Sequence, residues 1–110
     1  MKALKRGDFK IAGDHFHIAV NEAKEIGNEN AVGASYNNLG RAYESLSDFK
    51  KAIEFYQLAL PIAKDTGNKD AEGTIYNNLG LAYQSLSDFN KVRSFVSWLY
   101  LSQKTLETKI

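Results

Sequence analysis

Tyr36-Asn37-Asn38-Leu39-Gly40-Arg41-Ala42-Tyr43 returns forty residues later as Tyr76-Asn77-Asn78-Leu79-Gly80-Leu81-Ala82-Tyr83. The wider stretch from Gly27 to Lys51 repeats as Gly67 to Lys91, with well over half of its positions unchanged. A fixed register over so long a period is the mark of a repeat architecture. Each copy is one supersecondary unit that buries its apolar face only against its neighbours.

The remaining statistics limit what such a repeat can be. The chain has 110 residues, of which 44% are apolar and 25% charged, and its formal charge is +1. That is one modest domain, burying roughly 65% of its unfolded surface. Charge is balanced and dispersed, so neither a nucleic-acid stripe nor an acidic disordered tail is indicated. No cysteine is present, which excludes disulfides and thiolate metal sites. Met1 to Arg6 lacks the apolar core of a signal peptide, and no apolar run approaches the length needed to span a membrane. The expected setting is the cytoplasm.

Helical periodicity runs through the chain. Phe9, Ala12, Phe16, Ala19, Val20, Ala23 and Ile26 mark a first helix, with Asp8 as its N-cap and Gly27 as its left-handed stop. A second helix is expected from about Ala31 to Leu46, capped by Asn30. Its apolar side carries Tyr36, Leu39, Tyr43 and Leu46, with Gly40 beside them. Ser47-Asp48 is the next turn, short enough to force an antiparallel hairpin. The third helix spans Phe49 to about Thr66, and Pro61 removes one of its backbone hydrogen bonds. Ala71 to Leu86 repeats the second helix. By the same rule Ser87-Asp88 is expected to turn the chain, with a last helix from Phe89 to roughly Thr105. Residues 1–6 stand where a preceding helix would end. The units are therefore 8–27, the second half of a truncated repeat, then 30–67 and 70–106.

The pattern Tyr36-x2-Leu39-Gly40-x2-Tyr43 followed by Ala52-x3-Tyr56-x2-Ala59 resembles the tetratricopeptide repeat. Gly40 and Ala52 are small where helices approach closely, and Tyr43 and Tyr56 are large where a neighbour leaves a hole. The forty-residue period is similar to the long-helix subtype in G-protein-signalling modulators of the Pins type and in multi-repeat scaffolds. The resemblance implies an all-α fold, a right-handed α-solenoid of antiparallel helix hairpins with about two and a half repeats. It covers Phe9 to about Lys91. Ser47 and Ser87 depart from the family's turn glycine, and Lys64 from its helix-ending proline. Val92, Val96 and Leu99 replace the alanine, aromatic and alanine of the packing code. Overfilling a helix contact typically costs about 1–3 kcal/mol unless the helix shifts. Phe95, Trp98, Tyr100 and Leu101 add to the apolar character of this last helix. It reads either as a variant end helix or as a surface awaiting a neighbour.

In a stack of helix pairs the first helix of each pair lines the concave side. At 100° per residue, Ala34, Asn38, Arg41 and Ser45 lie opposite the core side of the second helix, with Asn37 and Glu44 at the edge. The equivalent set is Thr74, Asn78, Leu81 and Ser85, with Asn77 and Gln84 at the edge. Asn38 and Asn78 are expected one above the other, roughly 10 Å apart. A carboxamide has both a donor and an acceptor, so it can grip the backbone of an extended peptide, three residues of which span about 10 Å. In the resembled family such groove asparagines hold peptide backbones. The resemblance thus nominates Asn38 and Asn78 first, and Arg41 for an acidic residue of the partner. The bland alternative is that these asparagines are solvated helix positions.

Other chemistry finds little footing. His15 and His17 point about 200° apart on a helix, so they cannot share a metal. Glu22, Glu25, Asp65 and Glu72 are interspersed with lysines, and no carboxylate pair sits in an apolar setting suited to acid–base work. The glycines follow the repeat and form no phosphate loop. The expectation is a non-enzymatic module without cofactor or metal, binding a peptide segment of another protein and contacting neither nucleic acid nor membrane. Two other readings stand beside it. One is a structural piece that self-associates through its terminal helices, and the other is a fragment of a larger scaffold with no independent activity.

Overall fold

The computed structural model describes residues 6–108. It consists of four α-helices: α1 (Arg6–Glu25), α2 (Glu29–Ser45), α3 (Phe49–Asp65) and α4 (Lys69–Thr108). Each packs on the next in chain order, and α2 also touches α4. The described residues contain no strand. The all-helical, hairpin-repeat fold expected from the sequence is therefore present.

The turns show why these residues stop and restart helices. After α1, Gly27 takes φ 73°, and Asn28 N–H donates to the Ala23 carbonyl at 2.9 Å. After α3, Gly67 takes φ 70°, and Asn68 N–H donates to the Ala63 carbonyl at 2.9 Å. After α2, Ser47 takes φ 62°, and Asp48 N–H donates to the Tyr43 carbonyl at 2.9 Å. Each is the left-handed C-terminal motif that satisfies the last carbonyls of a helix. The next residue then caps the following helix. Asn28 Oδ1 accepts from Ala31 N–H at 3.1 Å, Asp48 from Lys51 N–H at 3.3 Å, and Asn68 from Ala71 N–H at 3.1 Å.

These contacts correct two assignments. Asn28, not Asn30, caps α2, because the residue that closes one helix also opens the next. Asp8 lies in the first turn of a helix already formed at Arg6. Residues 1–5, expected as the tail of a preceding helix, lie outside the described residues. Pro61 is exposed, and α3 continues past it to Asp65.

Two apolar clusters hold the stack. Val20, Ala23, Val32 and Leu39 join α1 to α2. Ala52, Ile53, Tyr56, Ala59 and Ala63 of α3 meet Ile75, Leu79 and Ala82 of α4. The α2–α3 contact turns on size complementarity. A Cβ built on Gly40 would collide with the Tyr56 ring, and one on Gly33 would lie 2.9 Å from Ile62. The fully buried Tyr56 finishes its seat by donating from its hydroxyl to Glu44 Oε2 at 2.9 Å. Burial first, and the Glu44 carboxylate second, push its ionisation above the usual tyrosine value.

The largest departure from the sequence reading is α4. The expected turn at Ser87-Asp88 is absent, and one 40-residue helix runs from Lys69 to Thr108. At 1.5 Å per residue it is about 60 Å long, and it dominates the 69 Å long axis of the molecule. The physical difference lies outside the shared turn sequence. Val96 and Gln84 stand where Tyr56 and Glu44 make their part-buried bond, so the second copy lacks the anchor that draws α3 back onto α2. Ser87 stays helical and avoids the positive φ that Ser47 adopts.

Candidate functional site

Where α2 and the first half of α4 run side by side, with the end of α3 behind them, they enclose a cleft of about 190 Å³. Ala34, Asn37 and Asn38 of α2 and Thr74 of α4 line it. Gly33, Ile62, Ala63 and Ile75 form the apolar floor. Drug-sized ligand cavities are larger, roughly 300–1,000 Å³. A cleft of this size suits a side chain or a short length of backbone rather than an enclosed metabolite.

Asn78 of α4 does not line the cleft itself but is bonded to Asn37, which does. The Asn78 Nδ2 donates to Asn37 Oδ1 at 3.0 Å. This pairing differs from the expected alignment of Asn38 with Asn78. The α4 carboxamide meets the α2 residue one position earlier, which turns Asn37 from an edge position into a central one. The bond uses one donor of Asn78 and one acceptor of Asn37. The Asn37 amide protons and the Asn78 carbonyl oxygen are left out of this bond, a donor and an acceptor on neighbouring side chains.

The other nominated residues are less concentrated. Arg41 is exposed one turn along α2, outside the cleft. Ser45 donates its hydroxyl to the Arg41 carbonyl at 3.0 Å, so its proton is already committed. Asn77, Leu81 and Ser85 also lie outside the cleft, and Leu81 is half exposed.

A second cluster was not legible from the wheel. Phe55 of α3 stacks on Tyr43 with ring centroids 5.4 Å apart and planes 7° apart, and on Tyr36 at 6.1 Å. His17 of α1 meets Phe55 edge-on at 5.5 Å and lies 3.2 Å from the Tyr43 hydroxyl through Nε2. Lys24 and Lys51 sit over the rings of Tyr36 and Tyr43. Edge and stacked aromatic contacts of this kind add about 0.5–1.5 kcal/mol beyond area burial. The cluster ties three helices together. His17 thus sits at the junction of α1, α2 and α3. A larger hollow of about 520 Å³ lies beside it, lined by Lys10, Asp14, Tyr43 and Lys51 among others. It lies between α1 and the α2–α3 turn and holds none of the nominated groove residues.

The hairpin register, the Gly40–Tyr56 contact and the sequential stacking point to one family, and a comparison agrees. A family model described as Tetratricopeptide repeat matches residues 3–65. The chain belongs to the tetratricopeptide repeat family. No curated protein matches it. The matched stretch ends with α3. The match takes in the described part of α1 and the closed α2–α3 hairpin, while the second copy of the repeat, Tyr76 to Tyr83, lies beyond it on α4. No helix among the described residues is long and apolar enough to cross a membrane.

Proposed function

We propose that this tetratricopeptide repeat chain is a protein-interaction module that binds an extended peptide segment of a partner along the α2–α4 wall. The observation that carries this reading is the Asn37–Asn78 bond at 3.0 Å. It joins a carboxamide that lines a small apolar-floored cleft to one beside it, and it leaves one donor group and one acceptor unused for a peptide. A peptide backbone offers the complementary acceptor and donor at every residue. Asn38, Ala34 and Thr74 line the same cleft, and the small side chains at 34 and 74 leave room for a strand. Arg41, exposed one turn away, would meet an acidic side chain of the peptide.

The test is selection of a binder from a library of random linear peptides, followed by calorimetry with Asn38→Ala combined with Asn78→Ala. Loss of two groups that each hydrogen-bond the backbone should weaken binding roughly 5- to 150-fold, at about 0.5–1.5 kcal/mol per bond. Unfolding measured in parallel should shift by no more than about 0.5–1.5 kcal/mol, the worth of the Asn78–Asn37 bond, since neither asparagine is in the core. Undiminished affinity in the double variant rejects the site.

A further inference from the structure

The first half of α4 carries a largely uncovered copy of the face that α2 buries. On α2, Gly33, Tyr36, Gly40 and Tyr43 meet α3. Their equivalents on α4 are Gly73, Tyr76, Gly80 and Tyr83. A Cβ on Gly73 or Gly80 would meet nothing within 4 Å, and Tyr76 and Tyr83 are each 49% exposed. The second half of the same helix is equally bare. Val92, Phe95, Val96 and Trp98 are all more than half exposed, and Leu99 is 39% exposed. From α3, Gln57 Nε2 donates to the Tyr83 hydroxyl at 3.0 Å and Lys64 sits over the Tyr76 ring, but the space over Gly73 and Gly80 stays open. Two largely uncovered apolar faces thus lie on one helix, separated by Ser85-Leu86-Ser87-Asp88-Phe89. That five-residue sequence is identical to Ser45-Leu46-Ser47-Asp48-Phe49, which turns the chain between α2 and α3.

We infer that α4 is a two-state element, and that the Gly73/Tyr76/Gly80/Tyr83 face is the docking site of the chain's own Phe89–Ser102 segment. In the closed state Ser87-Asp88 adopts the Ser47-Asp48 turn and the segment folds back in the α2–α3 register. That register sets Phe95 where Phe55 stands, stacked against Tyr83 and Tyr76 as Phe55 stacks against Tyr43 and Tyr36. It sets Val96 over Gly80 and Ser102 over Gly73.

The same comparison explains why the open helix competes. Val96 cannot make the bond that Tyr56 makes to Glu44. Val92 and Leu99 are bulkier than Ala52 and Ala59 at the close contact. Closure also forces Ser87 into a positive φ.

A second copy is a poorer occupant. Gly80 and Val96 are sixteen residues apart, which leaves them about 160° apart around a straight helix. Two straight α4 helices related by a two-fold axis therefore cannot engage both faces at once.

The experiment uses the absence of native cysteine. Spin labels on Asp70→Cys and Lys104→Cys of the full chain report one distance for each state, at sites whose equivalents Asn30 and Lys64 stay exposed in the α2–α3 hairpin. The open helix sets the two backbones about 51 Å apart, at 1.5 Å per residue, and the closed hairpin about 10 Å apart. The expected result is two populations, with the short one retained when labelled chains are diluted into excess unlabelled protein. Ser87→Gly should raise the closed-to-open ratio about tenfold, because glycine enters the left-handed turn without the serine penalty. A single long distance in both the parent and Ser87→Gly overturns the inference. So does a short distance that disappears on dilution, since that contact would be between chains. Ser87→Gly is the only added substitution in the second sample and lies outside both docking faces, so misfolding of the packed hairpin does not confuse the outcome.

Discussion

The Tyr56 ring lies against the backbone of Gly40, so close that a Cβ at residue 40 would overlap it. This one contact sets the distance between α2 and α3. It requires a residue with no side chain on one helix and a large planar one on the other. The fully buried Tyr56 has no room to retreat, and its hydroxyl is held by Glu44.

Gly40→Ala and Gly33→Ala should therefore each destabilise the chain, by about 1–3 kcal/mol, the usual cost of overfilling a packed contact. Their forty-residue equivalent Gly73 has open space. Gly73→Ala should instead stabilise by up to about 1 kcal/mol, the helix-propensity gain. Urea unfolding of the three variants measures both signs. Equal effects at residues 33, 40 and 73 would contradict the asymmetry between the two copies.

Tyr56→Phe keeps the ring and removes the hydroxyl. It leaves the half-buried Glu44 carboxylate without its donor, at a cost of about 1.5–3 kcal/mol for a bond to a charged acceptor. The pH dependence has a definite sign. Burial and Glu44 hold the Tyr56 hydroxyl protonated above the ordinary value of 10.0. The unfolded chain ionises at that ordinary value, so it sheds its proton first. The stabilisation is complete below pH about 10 and declines as pH rises beyond it. Thermal melts from pH 8 to 11 should show this decline in the parent and a shallower one in Tyr56→Phe.

Ser47 holds a positive φ without being glycine. A left-handed conformation costs about 1–2 kcal/mol for a residue with a Cβ. Ser47→Gly should recover part of this, about 0.5–1 kcal/mol, the remainder being offset by the greater freedom of glycine in the unfolded chain. A higher melting temperature checks it. Ser47→Val should lower the melting temperature, because a β-branched residue is worse still at positive φ.

The sequence carries the hairpin register openly, and the reason is local. Gly40, Ala52 and Tyr56 are a size code that only one antiparallel packing satisfies. The capping residues are nearly legible. Asn28 rather than Asn30 caps α2 because Gly27 and Asn28 serve the preceding helix and the next at once, which helix-by-helix reading separates. The continuity of α4 is not legible at Ser87-Asp88, since the same words turn the chain at Ser47-Asp48. The difference sits at residue 96, where valine replaces the tyrosine that anchors α3. The groove is legible in its face and not in its register. A helical wheel says that Asn37, Asn38, Asn77 and Asn78 share one side of the molecule. It says nothing of how far one helix slides or rotates against the next, and that offset pairs Asn78 with Asn37.

The central claim, that the α2–α4 wall receives a peptide backbone, is tested most directly by the side-chain amide signals of the asparagines in a nitrogen–proton NMR spectrum, recorded while a library-selected peptide is titrated in. The signals of Asn37, Asn38 and Asn78 should move together and saturate at one equivalent, while those of the exposed Asn21 and Asn90 stay in place. Saturable shifts confined to residues 89–101, with the three groove asparagines unmoved, would contradict the account.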